Sequence, residues 1–311
     1  MRKSLLLLLL LLAGCVAPSR SIRSNYADFN QTIQFNQGQQ MLLNLVRMKY
    51  REMPLFLKVG ALSTSYDLEA SAAAHLGRNA STTAYGINVG SRYSARPTIT
   101  YTPLEGSTFV KQVLGEVDSG TFVLLFRSGW PVKSLCHIML ERIGRSVNNA
   151  DEPSYHDFKA LVRRLQTAQD ANALQVVTDQ KEAFFEIMPR GTDESGPERS
   201  QAGGNSLALN TFQFRSFLDI LFFLGKNTQV PPEQRDQVKA GQTNGWITIR
   251  SSREQPGDAL VWVRHDGYYF SIARTDIRSK DTFALLKLIF QLQAGDIRTT
   301  EPLLTLPVVR P

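Results

Sequence analysis

Two periods divide this chain. From Asn25 to Glu52 apolar residues recur at helical spacing, with Tyr26, Phe29 and Ile33 on one stripe and Met41, Leu42, Leu45 and Met48 on the next. The pattern predicts one or two helices, with Gly38 as a candidate kink and Pro54 as a stop. Beyond Pro54 the period becomes two. One set of alternate residues is Gly60, Leu62, Thr64, Tyr66, Leu68, Ala70, Ala72, Ala74 and Leu76; the other is Ala61, Ser63, Ser65, Asp67, Glu69, Ser71, Ala73 and His75. The returning arm places Tyr85, Ile87, Val89, Ser91 and Tyr93 against Ala84, Gly86, Asn88, Gly90 and Arg92 in the same way. Alternation this long, far beyond the usual run of about five or six residues, predicts an extended β-hairpin over 60–101 around Gly77-Arg78-Asn79-Ala80-Ser81. A turn centred between Asn79 and Ala80 puts Tyr66 opposite Tyr93 and Asp67 opposite Arg92, pairings worth roughly 0.2–1 kcal/mol each.

After the hairpin the pattern becomes that of an ordinary body. Helical runs are expected over 104–117, over 120–129 with Ser119 as cap, over 131–144 with Pro131 in the first turn, and over 153–169. Strands are expected at 173–177 and 183–188, followed by a polar Gly-rich loop. A strand at 207–214, a helix at 215–225, strands at 246–252 and 259–273 turning at Asp266-Gly267, and a helix near 279–295 capped by Ser279 follow. An extended Leu303-Leu304-Thr305-Leu306 segment closes the chain. The sum is an α+β protein: N-terminal helix, long amphipathic hairpin, helical section, then mixed strands and helices.

The first fourteen residues change the picture. A basic Arg2-Lys3 head, eight leucines from Leu5 to Leu12 and the small residues Ala13 and Gly14 have the layout of an export signal, and the apolar run is too short to cross a bilayer of about 30 Å. Leu12-Ala13-Gly14-Cys15 resembles the bacterial lipobox. That resemblance implies cleavage after Gly14, a thioether-linked diacylglyceryl group on Cys15 and an acylated new N-terminus, an anchor with more than the two hydrophobic signals that stable attachment needs. Val16 stands where aspartate would retain such a lipoprotein in the inner membrane, so the resemblance implies the outer membrane, facing the periplasm. The expected division is a signal over 1–14, a lipidated tether over 15–24, helix plus hairpin over 25–102 and a body over 103–311.

Charge adds little. Removing Arg2 and Lys3 lowers the formal charge from +7 to +5, without a clustered basic face, so nucleic acid is not an expected partner. With Cys15 lipidated, Cys136 is the one remaining cysteine, on an apolar helical pattern that suits core packing. No nucleophile elbow, phosphate loop or paired cysteine motif occurs, and His75, His137, His156 and His265 lack metal-ligand spacing. Asp151-Glu152 suits a helix N-terminus. No enzyme, catalytic residue, metal or cofactor is therefore expected beyond the lipid on Cys15, with an envelope hydrolase the least supported alternative.

Two regions could bind. Trp262, Tyr268, Tyr269 and Phe270 could form a peptide or glycan platform on a monomeric periplasmic module, or simply face a core. The hairpin offers Tyr66, Leu68, Ala70, Ala72, Tyr85, Ile87, Val89 and Tyr93 on one face. A membrane strand needs about 9–11 residues, aromatic positions at both interfaces and a polar opposite face. Tyr85 and Tyr93 are separated by roughly 26 Å at about 3.3 Å per residue. Two strands cannot close a barrel alone, but an oligomer contributing one hairpin per subunit could, a plan similar in architecture to the curli secretion channel subunit. Insertion in lipid, pairing with another copy or an envelope partner, and docking on the body all remain open. The segments Leu42–Leu57, Arg96–Val110, Ser128–Pro131 and Ser279–Gly295 resemble a group of uncharacterised lipoproteins of Gram-negative bacteria, which implies compartment and no activity. The expected role is a structural or assembly subunit of an envelope complex, an oligomeric pore being its sharpest form.

Overall fold

A computed structural model describes residues 17–79, 82–104, 106–179, 182–187, 206–239, 243–294 and 304–307. The fold is α+β, with small antiparallel sheets and helices of eight or more residues. It comprises two compact units: residues 1–54 with 107–296, and residues 55–106 with 297–311. The division expected at 102/103 is therefore displaced. The N-terminal helix belongs with the body, and the C-terminal strand belongs with the hairpin.

In the larger unit, α1 (Ala17–Tyr50) is a single helix. It includes residues 17–24, expected as a tether, because the one proline there, Pro18, falls in the first turn, where its missing N–H costs nothing. Gly38 does not break it either. A Cβ there would lie 3.5 Å from Val261 Cγ2 and 3.8 Å from Phe283 Cε1, ordinary van der Waals contact, so the helix runs on through this position with room for a side chain. Met41, Leu42, Leu45, Val46 and Met48 are buried. The end of α1 is a Schellman turn: Arg51 takes the left-handed conformation at φ 62°, Glu52 N donates to Arg47 O at 2.9 Å and Arg51 N to Met48 O at 3.4 Å.

Four helices follow: α2 (Ser107–Leu114), α3 (Ser119–Arg127), α4 (Val132–Met139) and α5 (Tyr155–Asp170). Asp118, with extended φ and ψ, occupies the N-cap of α3, which makes Ser119 the first helical residue instead of the cap. The helix expected over 131–144 stops at Met139, where Leu140 turns extended and opens β3 (Leu140–Ile143), paired with β4 (Ser146–Val147) on one side and β8 (Phe212–Phe214) on the other. Strand pairing overrides local helical periodicity there. A second sheet orders β5 (Leu174–Asp179), β6 (Glu182–Ile187) and β7 (Ser206–Ala208). Phe122 of α3 joins the two sheets, meeting Phe185, Phe212 and Phe214 edge-on at centroid distances of 5.8, 5.9 and 5.6 Å.

Helix α6 (Phe217–Gly225) starts in a capping box between Ser216 and Asp219, and its last residue sits so close to α1 that a Cβ on Gly225 would lie 2.9 Å from Leu45 O. The third sheet orders β10 (Ala259–His265), β11 (Tyr268–Ala273) and β9 (Arg250–Ser252). Its hairpin turns at Asp266 (φ 45°) and Gly267 (φ 83°), as the Asp-Gly pair predicts. Helix α7 (Ile277–Ala294) is capped one turn earlier than expected: Asp276 accepts from Ser279 N at 3.1 Å and from Ser279 Oγ at 2.6 Å.

The smaller unit is a three-stranded antiparallel sheet of β1 (Leu57–Asn79), β2 (Thr82–Pro103) and β12 (Leu304–Pro307), in the order β1-β2-β12. Leu104 N donates to Phe56 O at 2.9 Å and closes the base of the hairpin.

Candidate functional site

The hairpin is the outstanding feature of the chain. Arms of 23 and 22 residues span roughly 73 Å at about 3.3 Å per residue, more than twice the thickness of a bilayer core. After a register shift between Val59 and Ala61, pairing runs without interruption from Ala61↔Thr100 to Asn79↔Thr82. One face carries the positions Leu62↔Ile99, Leu68↔Tyr93, Ala70↔Ser91, Ala72↔Val89, Ala74↔Ile87 and Leu76↔Tyr85. The other carries Ser65↔Arg96, Asp67↔Ser94, Glu69↔Arg92 and His75↔Gly86.

The pairings Tyr66 with Tyr93 and Asp67 with Arg92 are corrected by this register. Tyr66 stands opposite Ala95, Tyr93 opposite Leu68, and Arg92 opposite Glu69. The displacement is two residues along one arm, which leaves every residue on its expected face. Alternation fixes a register only to within steps of two, since a slip of one is the smallest that exchanges faces. The structure's register sets aliphatic residues across from both Tyr85 and Tyr93, and keeps an acidic position across from Arg92.

The edges matter as much as the faces. β12 covers β2 only from Thr98 to Tyr101. Among the described residues, no strand pairs with the outer edge of β1 over 61–79 or with that of β2 over 82–97. A two-stranded ribbon is marginal by itself, and a long row of unpaired backbone N–H and C=O groups is a template for another strand.

The remaining candidate chemistry lies in the larger unit. Cys136 is buried among apolar residues, and burial raises its thiol far above the ordinary range, which suits the packing role expected of it. His137 is buried too. Its ring tilts against Trp246 at 4.8 Å, Nδ1 has no hydrogen-bond partner among the described residues, and burial lowers its pKa to about 4. The backbone carbonyl of His137 accepts from Arg215 Nη1 at 2.8 Å and from Asn148 Nδ2 at 2.8 Å. Arg215 also donates to Ile138 O and Asn148 O and lies 4.1 Å from the centre of the Phe223 ring. Its pKa falls to about 10, chiefly through burial. A cation placed on the terminal carbonyls of α4 complements the helix dipole, so this network fastens the α4–β3 corner. Periodicity could not reveal Arg215, whose partners are 67–78 residues away.

His156 is exposed beside Asp157. His265 is structurally bonded: its side chain is 10% exposed, and Nε2 lies 3.0 Å from Glu52 Oε2. The Schellman turn at Arg51 delivers Glu52 to this corner, 213 residues away in sequence. Tyr50 packs its ring 5.1 Å from that imidazole and donates its hydroxyl to Gln234 Oε1 at 2.5 Å. Its pKa rises to about 12 through burial first, then through Asp266, Tyr268 and Glu52.

On the aromatic hairpin β10–β11, Phe270 is buried and Trp262 meets Tyr269 edge-on at 5.5 Å. Trp130 lines a recess of about 250 Å³ with Pro131, Ser134, Asp281, Thr282 and Leu285. No described helix is long and apolar enough to cross a membrane. The signal, Gly14 and Cys15 lie outside the described residues, as do the hairpin tip at 80–81 and most of the Gly-rich loop at 188–205. Comparison with protein-family models, with curated proteins and with solved structures finds no match.

Proposed function

We propose that this chain is an outer-membrane lipoprotein, held by acyl chains on Cys15 and facing the periplasm, that acts as a structural subunit of an envelope assembly joined through its hairpin. One observation carries the reading: a ribbon of two arms longer than twenty residues, assigned to a unit of its own, whose outer edges over 61–79 and 82–97 pair with no strand among the described residues. Edges of that length are blunted or covered in proteins that stay monomeric. Pairing β1 of one copy with β2 of the next satisfies both, and a closed ring of such hairpins satisfies all of them. In its sharpest form the ring is a pore: the band from Leu68↔Tyr93 to Leu76↔Tyr85 has the length and aromatic ends of a lipid-facing belt, with charged positions on the opposite face.

The test is the mass of the detergent-extracted protein. A closed oligomer that becomes monomeric when residues 60–101 are deleted supports the assembly; a strict monomer with the hairpin intact overturns it and favours the β10–β11 aromatic sheet as a monomeric binding module. Replacing Ala70, Ala72, Ile87 and Val89 with Asp tests insertion separately, because a lipid-facing belt must then lose its protection from external protease. Cys15→Ser should abolish lipid labelling.

A further inference from the structure

The corner formed by Glu52, His265 and Asp266 has a donor arrangement that no function above uses. A carboxylate accepts, so in a neutral imidazole the 3.0 Å contact between His265 Nε2 and Glu52 Oε2 puts the ring proton on Nε2 and leaves a lone pair on Nδ1. Nδ1 is buried, has no hydrogen-bond partner among the described residues, and faces Asp266 Oδ2 at 3.7 Å. A lone pair and a carboxylate oxygen approaching each other call for positive charge between them, which a metal ion can supply in place of a proton; the imidazole is nine-tenths buried and Asp266 reaches it from the solvent side. The three side chains offer ligand atoms all within 4.8 Å of one another.

We infer that this corner binds one divalent transition-metal ion, zinc fitting the donors best, through His265 Nδ1 and the Asp266 carboxylate, with Glu52 orienting the imidazole. Imidazole and carboxylate are ordinary zinc ligands at about 2.0–2.2 Å, and two such ligands stand about 3.4 Å apart at the tetrahedral angle. The observed 3.7 Å closes to that with a few tenths of an ångström of movement by Asp266, whose side chain is 56% exposed on a two-residue turn. A carboxylate on the far nitrogen of a metal-bound histidine fixes its tautomer and raises its basicity, the role the geometry leaves to Glu52. The surroundings are built to hold this shape. Gln234 accepts a hydrogen bond from the Tyr50 hydroxyl at Oε1 and donates from Nε2 to Asp266 O at 3.3 Å, while Arg47 Nε approaches only the Glu52 side at 3.9 Å. Water completes the coordination on the exposed side. The ion would tie the end of α1 to the tip of the β10–β11 hairpin.

The experiment is zinc titration by calorimetry of the full-length, detergent-extracted protein after chelator treatment. One saturable site per chain, with a zinc-dependent rise in melting temperature, is expected. His265→Ala and Asp266→Asn should each abolish it, and Glu52→Gln should weaken it about 10- to 100-fold, the usual effect of losing an orienting carboxylate. Exposed His156 serves as control, and His156→Ala should change nothing. If His265→Ala does not fold, Asp266→Asn decides the matter, since that exposed side chain supports no core. Absence of saturable binding, binding indifferent to Asp266→Asn, or binding lost with His156→Ala would overturn the site.

Discussion

The two units of this protein solve stability in opposite ways. The larger one closes on itself: Phe122, Phe158, Phe185 and Phe217 are fully buried, helix ends are capped by the side chains of Ser216 and Asp276, and even the cation Arg215 is surrounded by carbonyls. The hairpin unit is rich in Ala, Ser, Thr and Gly on two long arms, with regular pairing between them and, among the described residues, no strand along most of either outer edge. Small side chains bury little apolar area at about 25 cal/mol per Å². Its regularity is therefore of most use where neighbouring strands complete it. One unit has its partners within the chain, and the other has the form of something that finds them elsewhere.

The largest effect should come from the core. Phe122→Ala removes the ring shared by two sheets and is expected to lower the unfolding free energy by about 3–5 kcal/mol. Replacing residues 58–102 by a two-residue turn, which the Leu104–Phe56 hydrogen bond permits, should leave the body's urea transition in place. A body that unfolds with the hairpin removed would break the comparison.

An intermediate effect is expected from pH. His137 is held neutral in the fold, with its pKa lowered to about 4 from an ordinary value of 6.5, so the unfolded chain takes up the proton first. Its contribution is present in full above pH 6.5 and is lost as pH falls towards 4, amounting to roughly 3 kcal/mol at about 1.4 kcal/mol per unit. Urea unfolding at pH 7, 5.5 and 4 should show this loss in the wild type, and a smaller one in His137→Phe.

The smallest effect sharpens the hairpin itself. Glu69 faces Arg92 directly, whereas Asp67 faces Ser94. A double-mutant cycle on Glu69 and Arg92, followed by a probe on the hairpin, should give a coupling of roughly 0.2–1 kcal/mol, larger than that of Asp67 with Arg92. The reverse order would restore the register with Tyr66 opposite Tyr93.

Much of this architecture was legible from residue patterns. The hairpin arms, the Asp266-Gly267 turn and most helices of the body follow from period and turn chemistry, which act over a few residues. What escaped were the exact ends of elements, as at Met139, where pairing with β8 cut short a helical pattern, and at Asp276, where a side chain one turn earlier took the cap. The corner of Glu52, His265 and Asp266 escaped for a different reason. Glu52 and His265 are 213 residues apart, and no spacing rule links them.

By itself, then, the sequence determined which residues share a face, because alternation and helical period are properties of the local backbone. It could not determine the register of the hairpin beyond steps of two, nor that α1 belongs to the body while residues 304–307 join the hairpin. Those were decided by tertiary structure, since they depend on which distant segments bury one another's surfaces and satisfy one another's hydrogen bonds. Arg215 on the carbonyls of α4 and Glu52 on His265 are of the same kind: contacts made only once the fold has brought the two ends of a long loop together.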